Sequence, residues 1–210
     1  MEDVLEVYHE PAQADVVRLC MDERPCQLVG DCIEPMAMQP GKSKRIDYEY
    51  VRKGVCCVFM AYDMDRGQRY CQVREQRTKE DYAQFMDWVV SHHYREAAKI
   101  VVVQDNLNTH TKGSFYEHLP AHRAGELARL MEFHYTPKHG SWLNQVEIEF
   151  SVMARQCLDR RIGSIEELES QVSAWVEDRN KLAPKINWSF TVDKAREKMA
   201  SQYQRVNPDN

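Results

Sequence analysis

Lys99-Ile100-Val101-Val102-Val103-Gln104-Asp105-Asn106-Leu107-Asn108-Thr109-His110 opens with a short, nearly all-apolar, β-branched run and stops on an acid. A run of that kind suits a central strand covered on both faces. Upstream, Thr78 can cap a helix reaching about Ala98, in which Tyr82, Phe85, Met86, Val89 and Val90 recur every three to four residues. Further upstream, Val16 to Met21 reads as a buried strand ending on Asp22-Glu23-Arg24-Pro25. Gly54 to Tyr62 is a second apolar strand, and the turn Asp63 to Gly67 joins it to an alternating strand over Gln68 to Arg74, which makes a hairpin. Downstream come a short helix near Ser114 to His118, a helix around Arg123 to Met131, and a strand near Phe133 to Tyr135. A loop over Pro137 to Ser141 leads to helices over about Gln145 to Leu158 and Ile165 to Lys181, the latter opened by Ser164 and Glu167 as a capping box. The order predicts one mixed α/β domain over residues 1–183. A polar tail follows over 184–210, with a short helix near Asp193 to Gln202.

With 43% hydrophobic and 29% charged residues, the 210-residue chain is neither disordered, collagenous nor a disulfide scaffold. No apolar run is long enough for a bilayer, and Met1-Glu2-Asp3 lacks the basic start of a signal peptide. The expected address is therefore the cytoplasm, with no membrane partner. Seven cysteines with no CxxC spacing argue for small core thiols rather than structural zinc. The net charge of −5 is unevenly spread: residues 42–79 hold ten basic and five acidic side chains, whereas residues 1–41 hold two and nine. A basic block in an acidic chain is compatible with contact to phosphates, because binding follows local charge; it is equally compatible with solvated hairpin charges.

Two strands end in a carboxylate, Asp22 and Asp105, and a third acid, Glu147, stands early on a helix after a loop. Such sets suit hard divalent cations, which take oxygen ligands and are held by few protein groups when substrate phosphates complete the shell. Singly, acids at strand ends are more often turn or cap residues. The surrounding wording adds to the pattern. Asp105-Asn106 with His110 gives D-N-x-x-x-H after a strand, and Pro137 with Leu143-Asn144 and Glu147 gives P-x-x-x-x-x-L-N-x-x-E before a helix. Together with Met21-Asp22-Glu23, these resemble the three catalytic motifs of the DDE transposases of the mariner superfamily, in its bacterial insertion-sequence branch.

The resemblance covers roughly residues 16–183 and implies a ribonuclease H-like fold, a mixed sheet flanked by helices. It further implies Asp22, Asp105 and Glu147 as catalytic metal ligands, Mg²⁺ as cofactor with Mn²⁺ able to substitute, and a cytoplasmic, nucleoid-associated bacterial protein. Its implied partners are double-stranded DNA, as transposon ends and as target, and a second copy of the chain. Many relatives have Pro where this chain has Ser141 and Gln145, so a less rigid entry to the helix is expected. Glu147 has a structural alternative, since Asn144 as N-cap would place it in a capping box, and Glu149 is a second candidate ligand on the opposite side of the apolar stripe. Asp63 and Asp65 read as turn residues, and Glu23 points away from Asp22 if the pleat continues. His110 and His139 flank the second and third motifs, where either can contact a DNA phosphate or a neighbouring carboxylate. The expected DNA contacts are Lys42, Arg45, Lys53, Asn106, His110, Lys138 and Trp142; Trp142 reads equally as a core anchor. Arg66, Arg69, Arg74, Arg77 and Lys79 line the hairpin and its exit.

The function expected is metal-dependent DNA strand cleavage at transposon ends and strand transfer into target DNA. A different nuclease of the same fold is disfavoured by the D-N-x-x-x-H and L-N-x-x-E wording. A non-catalytic remnant that only binds DNA or partner chains is the alternative, because such transposases usually carry helix-turn-helix modules before the catalytic domain and none is expected ahead of Val16.

Overall fold

The computed structural model describes residues 1–34, 36, 38–42, 47–201 and 203. Arg45, one of the expected DNA contacts, lies outside the described residues. Five strands form one sheet in the order β3-β2-β1-β4-β5: β1 Val16–Asp31, β2 Tyr50–Asp63, β3 Gln68–Arg74, β4 Lys99–Gln104 and β5 Met131–Tyr135. β1, β2 and β3 pair antiparallel in turn, and β1, β4 and β5 run parallel. The parallel pairs are linked through helices, as parallel crossovers require.

Alternation along the strands sorts side chains into two cores. Cys20, Val58, Met60, Tyr62, Val101 and Val103 face one side, and Leu19, Met21, Phe59, Ala61, Ile100 and Val102 the other. The first face carries α1 Glu2–His9, α5 Val146–Gln156, α6 Ile165–Leu182 and α7 Val192–Lys198; the second carries α2 Lys79–His93, α3 Lys112–His118 and α4 Ala121–Leu130. Residues 184–201 are anchored on the first face by Ile186, Trp188, Phe190 and Ala195, while Arg196 and Tyr203 both reach Glu2 of α1.

Several elements differ from the sequence reading. β1 does not stop at Asp22 but runs on through Pro25 to Asp31, pairing with β2 throughout. Its β4 partner ends at Cys20↔Val103, so Pro25 lies where the strand has lost one neighbour, a location that tolerates a missing N–H. α1 was not expected, α2 ends at His93 rather than Ala98, and α7 is shorter than the helix read near Asp193 to Gln202. Thr78 caps α2 as read, in a box with Asp81. Ser164 caps α6, but the Glu167 carboxylate accepts from the Gly163 N–H rather than from Ser164. All seven cysteines are free, and Cys20, Cys56, Cys57 and Cys157 are buried, as small core residues would be.

Candidate active site

The β1/β4 register places the two aspartates. Cys20 pairs with Val103, so Asp22 and Asp105 each stand two residues beyond the last paired position. Cys20 and Val103 share the face that carries α5, and a two-residue step preserves the face, so both acids project toward that helix. α5 is held there by Leu143, Val146, Phe150 and Met153 in the core. Before it, Gly140 closes a turn onto Pro137 with an N–H···O bond of 2.8 Å. A Cβ at Gly140 would sit 2.9 Å from the Pro137 carbonyl oxygen, so only glycine fits that turn. His139, exposed beside it, adopts the left-handed region at φ 63°.

Asn144 is the direct tie between helix and strand. Its amide donates to the Met21 carbonyl at 2.8 Å and lies 3.5 Å from Asp22 Oδ2, while its Oδ1 accepts from Val146 N at 3.3 Å. The capping box read for Asn144 and Glu147 is therefore not formed: Gln145 is the N-cap residue, without a side-chain cap. Among the described residues the Glu147 carboxylate has no protein partner, and it is half-buried in the first turn of α5. Glu149 has the opposite fate. It is fully buried, with both oxygens bonded to Arg69 at 2.8 and 2.9 Å and further bonds to Arg179 at 2.6 and 3.0 Å. Burial opposes its ionisation, but Arg179 and Arg69 outweigh it and hold the pKa below the ordinary value. Arg69, read from sequence as lining a DNA-facing hairpin, is thus a wholly buried structural cation.

Asp22 is 8% exposed, and its pKa is pushed up to about 7. Burial is the main cause; the Glu23 N–H opposes it, and the charges of Glu23, Asp105 and Glu147 add to it. The repulsion from Asp105 and Glu147 means that the three acids are near enough to sense one another. Among the described residues, however, no three His, Cys, Asp or Glu side chains are grouped closely enough to hold a metal ion as they stand. The donor chemistry of the three acids, all oxygen and with carboxylate oxygens uncommitted, is that of a hard divalent cation, whose charge would offset the repulsion that keeps the Asp22 pKa high.

The remaining expected residues separate into three places. Asn106 and Lys138 line a cleft of about 710 Å³ together with Asp105, Leu107, Tyr135 and Pro137. Trp142 stands close by in chain, 49% exposed, with its ring edge-on to Phe190 at 5.6 Å, so it is both anchored and accessible. Lys42 lies in the connection between β1 and β2, and Lys53 on β2; both are exposed, and neither lines the cleft. His110, expected as a DNA contact, is 1% exposed and has no surface to offer a phosphate. Its Nδ1 lies 2.6 Å from Asp105 Oδ1 and its Nε2 3.0 Å from Glu23 Oε2. Burial would pull its pKa down, but Asp105 and Glu23 outweigh that and push it up to about 9. Asp63 and Asp65 are turn residues as read: Asp63 accepts from the Asp65 and Arg66 N–H groups, and Asp65 pairs with Arg18.

The fold has counterparts among solved structures. The chain is similar to the Mos1 mariner paired-end complex with Mn (14% identity, TM-score 0.54), over 79% of this chain and 50% of that one. It is similar also to the Mos1 transposase paired-end complex with left transposon end (13%, TM-score 0.56), over 87% and 57%. A third likeness is to the catalytic domain of Mos1 mariner transposase (12%, TM-score 0.51), over 79% and 74%. The fold is therefore ribonuclease H-like, and the chain spans about half the length of the Mos1 chain in the Mn complex. No curated protein matches the sequence. The family model described as DDE superfamily endonuclease matches residues 17–169, a span that holds nearly the whole sheet and all three acids. The chain belongs to the DDE superfamily of endonucleases.

Proposed function

We propose that this chain is the catalytic domain of a DNA transposase, which cuts DNA strands at transposon ends and transfers the freed ends into target DNA. The observation that carries the reading is the convergence of Asp22 and Asp105, from adjacent strand ends, on the face where Glu147 begins α5, with the ionisation of Asp22 opposed by the other two. That arrangement supports Asp22, Asp105 and Glu147 as ligands of Mg²⁺, with Mn²⁺ as substitute. When bound, such ions activate water and stabilise the entering and leaving oxygens of an in-line displacement.

The chain's own part is positional. Asn144 fixes the strand carrying Asp22 against the helix carrying Glu147. Asp105 turns Oδ1 to His110 Nδ1 at 2.6 Å and to the Leu107 N–H at 3.4 Å and, among the described residues, leaves Oδ2 without a protein partner. Asn106 and Lys138 border the cleft beside Asp105, where a phosphodiester backbone would pass, and Trp142 offers a flat face close by. Double-stranded DNA is the partner this supports. The paired-end complexes of the Mos1 relatives favour a second copy of the chain as well. The test is nicking of a duplex by the purified chain with Mg²⁺, with Mn²⁺ and with chelator. Activity confined to the metal-containing reactions and lost in Asp105→Asn is expected; nicking that survives either change would overturn the proposal.

A further inference from the structure

Glu23 follows Asp22 directly, and the strand pleat sends its side chain to the opposite face of the sheet, among the residues that pack on α2. A carboxylate there would be costly unless partnered, and its side chain is 1% exposed. Its close partner is His110 Nε2 at 3.0 Å, with Arg77 Nη1 more distant at 3.9 Å. The other ring nitrogen of His110 touches Asp105 Oδ1 at 2.6 Å. Neither contact is aligned as a hydrogen bond, so one buried imidazole connects the residue after the first acid to the second acid by close ionic approach.

The surroundings immobilise that ring. Its face lies against Tyr82, with centroids 4.8 Å apart, and the Tyr82 hydroxyl donates to Gln104 Oε1 at 2.9 Å. Gln104 Nε2 in turn donates to the His110 carbonyl at 3.0 Å, which Tyr135 also approaches at 3.3 Å. The Asp105 to His110 loop is thus folded back on the strand end from which it leaves. A core histidine with a purely packing role needs no carboxylate at both nitrogens, and a solvated loop would not bury the ring.

We propose that Glu23 and His110 form a buried clamp that sets the orientation of Asp105 toward a divalent cation, with His110 as the positioning residue and Glu23 as the group that fixes its ring. The inference rests on Asp105 being a metal ligand. The clamp occupies Oδ1 and presents Oδ2, and partners of this kind around ligating carboxylates change metal affinity about 10- to 100-fold when removed.

Calorimetric titration of the full chain with Mn²⁺, in the absence of DNA, tests the clamp independently of cleavage. Glu23→Gln and His110→Ala should each weaken Mn²⁺ binding by about tenfold or more, while circular dichroism still reports the native fold. His110→Asn, whose amide can replace Nδ1 toward Asp105, should recover part of what His110→Ala loses. A purely structural role would lower the melting temperature and leave Mn²⁺ affinity of the folded protein unchanged; that result, or equal affinities for His110→Asn and His110→Ala, overturns the clamp. Should Glu23→Gln not fold, the two His110 variants decide alone. Failure of the underlying reading looks different: Asp105→Asn would then bind Mn²⁺ as tightly as the unaltered chain, or the unaltered chain would not bind it, and the clamp would fall with it.

Discussion

An aspartate whose pKa is raised to about 7 makes the metal-free protein sensitive to pH in a definite direction. Unfolded, the same carboxyl titrates near about 3.9. Between those values the folded state keeps a proton that the unfolded state releases, so the stability it contributes is full below about pH 4 and is lost as pH rises through 7. His110 acts in the same direction in a later window, from about 6.5 up to about 9. Denaturant unfolding without metal should therefore show lower stability at about pH 7.5 than at about pH 5, by on the order of 2–4 kcal/mol. Asp22→Asn should remove the lower-pH part of this slope and keep the His110 part; an unchanged slope would refute the placement of Asp22. Asp22 and Asp105 stood out in the sequence because each closes an apolar run, although β1 itself continues past Asp22. The choice between Glu147 and Glu149 was not, because both border the same apolar stripe and only the arginines of β3 and α6, distant in sequence, claim one of them. Glu23 was read as pointing away from Asp22, but its link to His110 is a tertiary contact that no local pattern encodes.

Between elements, Arg69, Glu149 and Arg179 tie β3, α5 and α6 together beneath the site. Arg69 also donates to the Pro184 carbonyl at 2.6 Å, and its backbone N–H donates to Asn180 Oδ1 at 2.9 Å. Removing only the acid strands a fully buried guanidinium, so Glu149→Leu should cost about 3–5 kcal/mol in equilibrium unfolding. Pairing it with Arg69→Met should recover much of that loss, because the uncompensated charge goes too. A double variant no more stable than Glu149→Leu would show that the cluster does not behave as a coupled unit. The strands were mostly legible from alternation and apolar runs. The exception is the far half of β1, where Asp-Glu-Arg-Pro has turn chemistry but is held extended by an unbroken ladder to β2 as far as Leu28. Tertiary pairing overrode local preference there, and α1 went unread because eight residues carry too little periodicity.

For the molecule as a whole, charge predicts how DNA would be held. Lys42 and Lys53 stand exposed in the basic block and outside the cleft lining, where they can contact phosphates but read no bases. Affinity of this chain for duplex DNA should be weak, nearly indifferent to sequence and steeply reduced by salt. Lys42→Glu and Lys53→Glu should each lower the slope of log affinity against log salt by about one, alike on transposon-end and scrambled duplexes. Strong preference for one duplex, or slopes unmoved by both changes, would contradict an electrostatic docking surface.

Glu2 meets Arg196 and Tyr203, and Tyr8 lies edge-on to Trp188 at 5.1 Å. α1 is thus completed by a segment 194 to 201 residues further along the chain. On a ribosome adding about 5–20 residues per second, α1 would wait on the order of ten to forty seconds for those partners. A free eight-residue helix is not stable in water, so Val4, Leu5 and Val7 travel uncovered while the sheet assembles. The α1 face of the core therefore stays open during synthesis until that segment emerges, and nascent chains stalled before residue 184 would display it to chaperones and proteases.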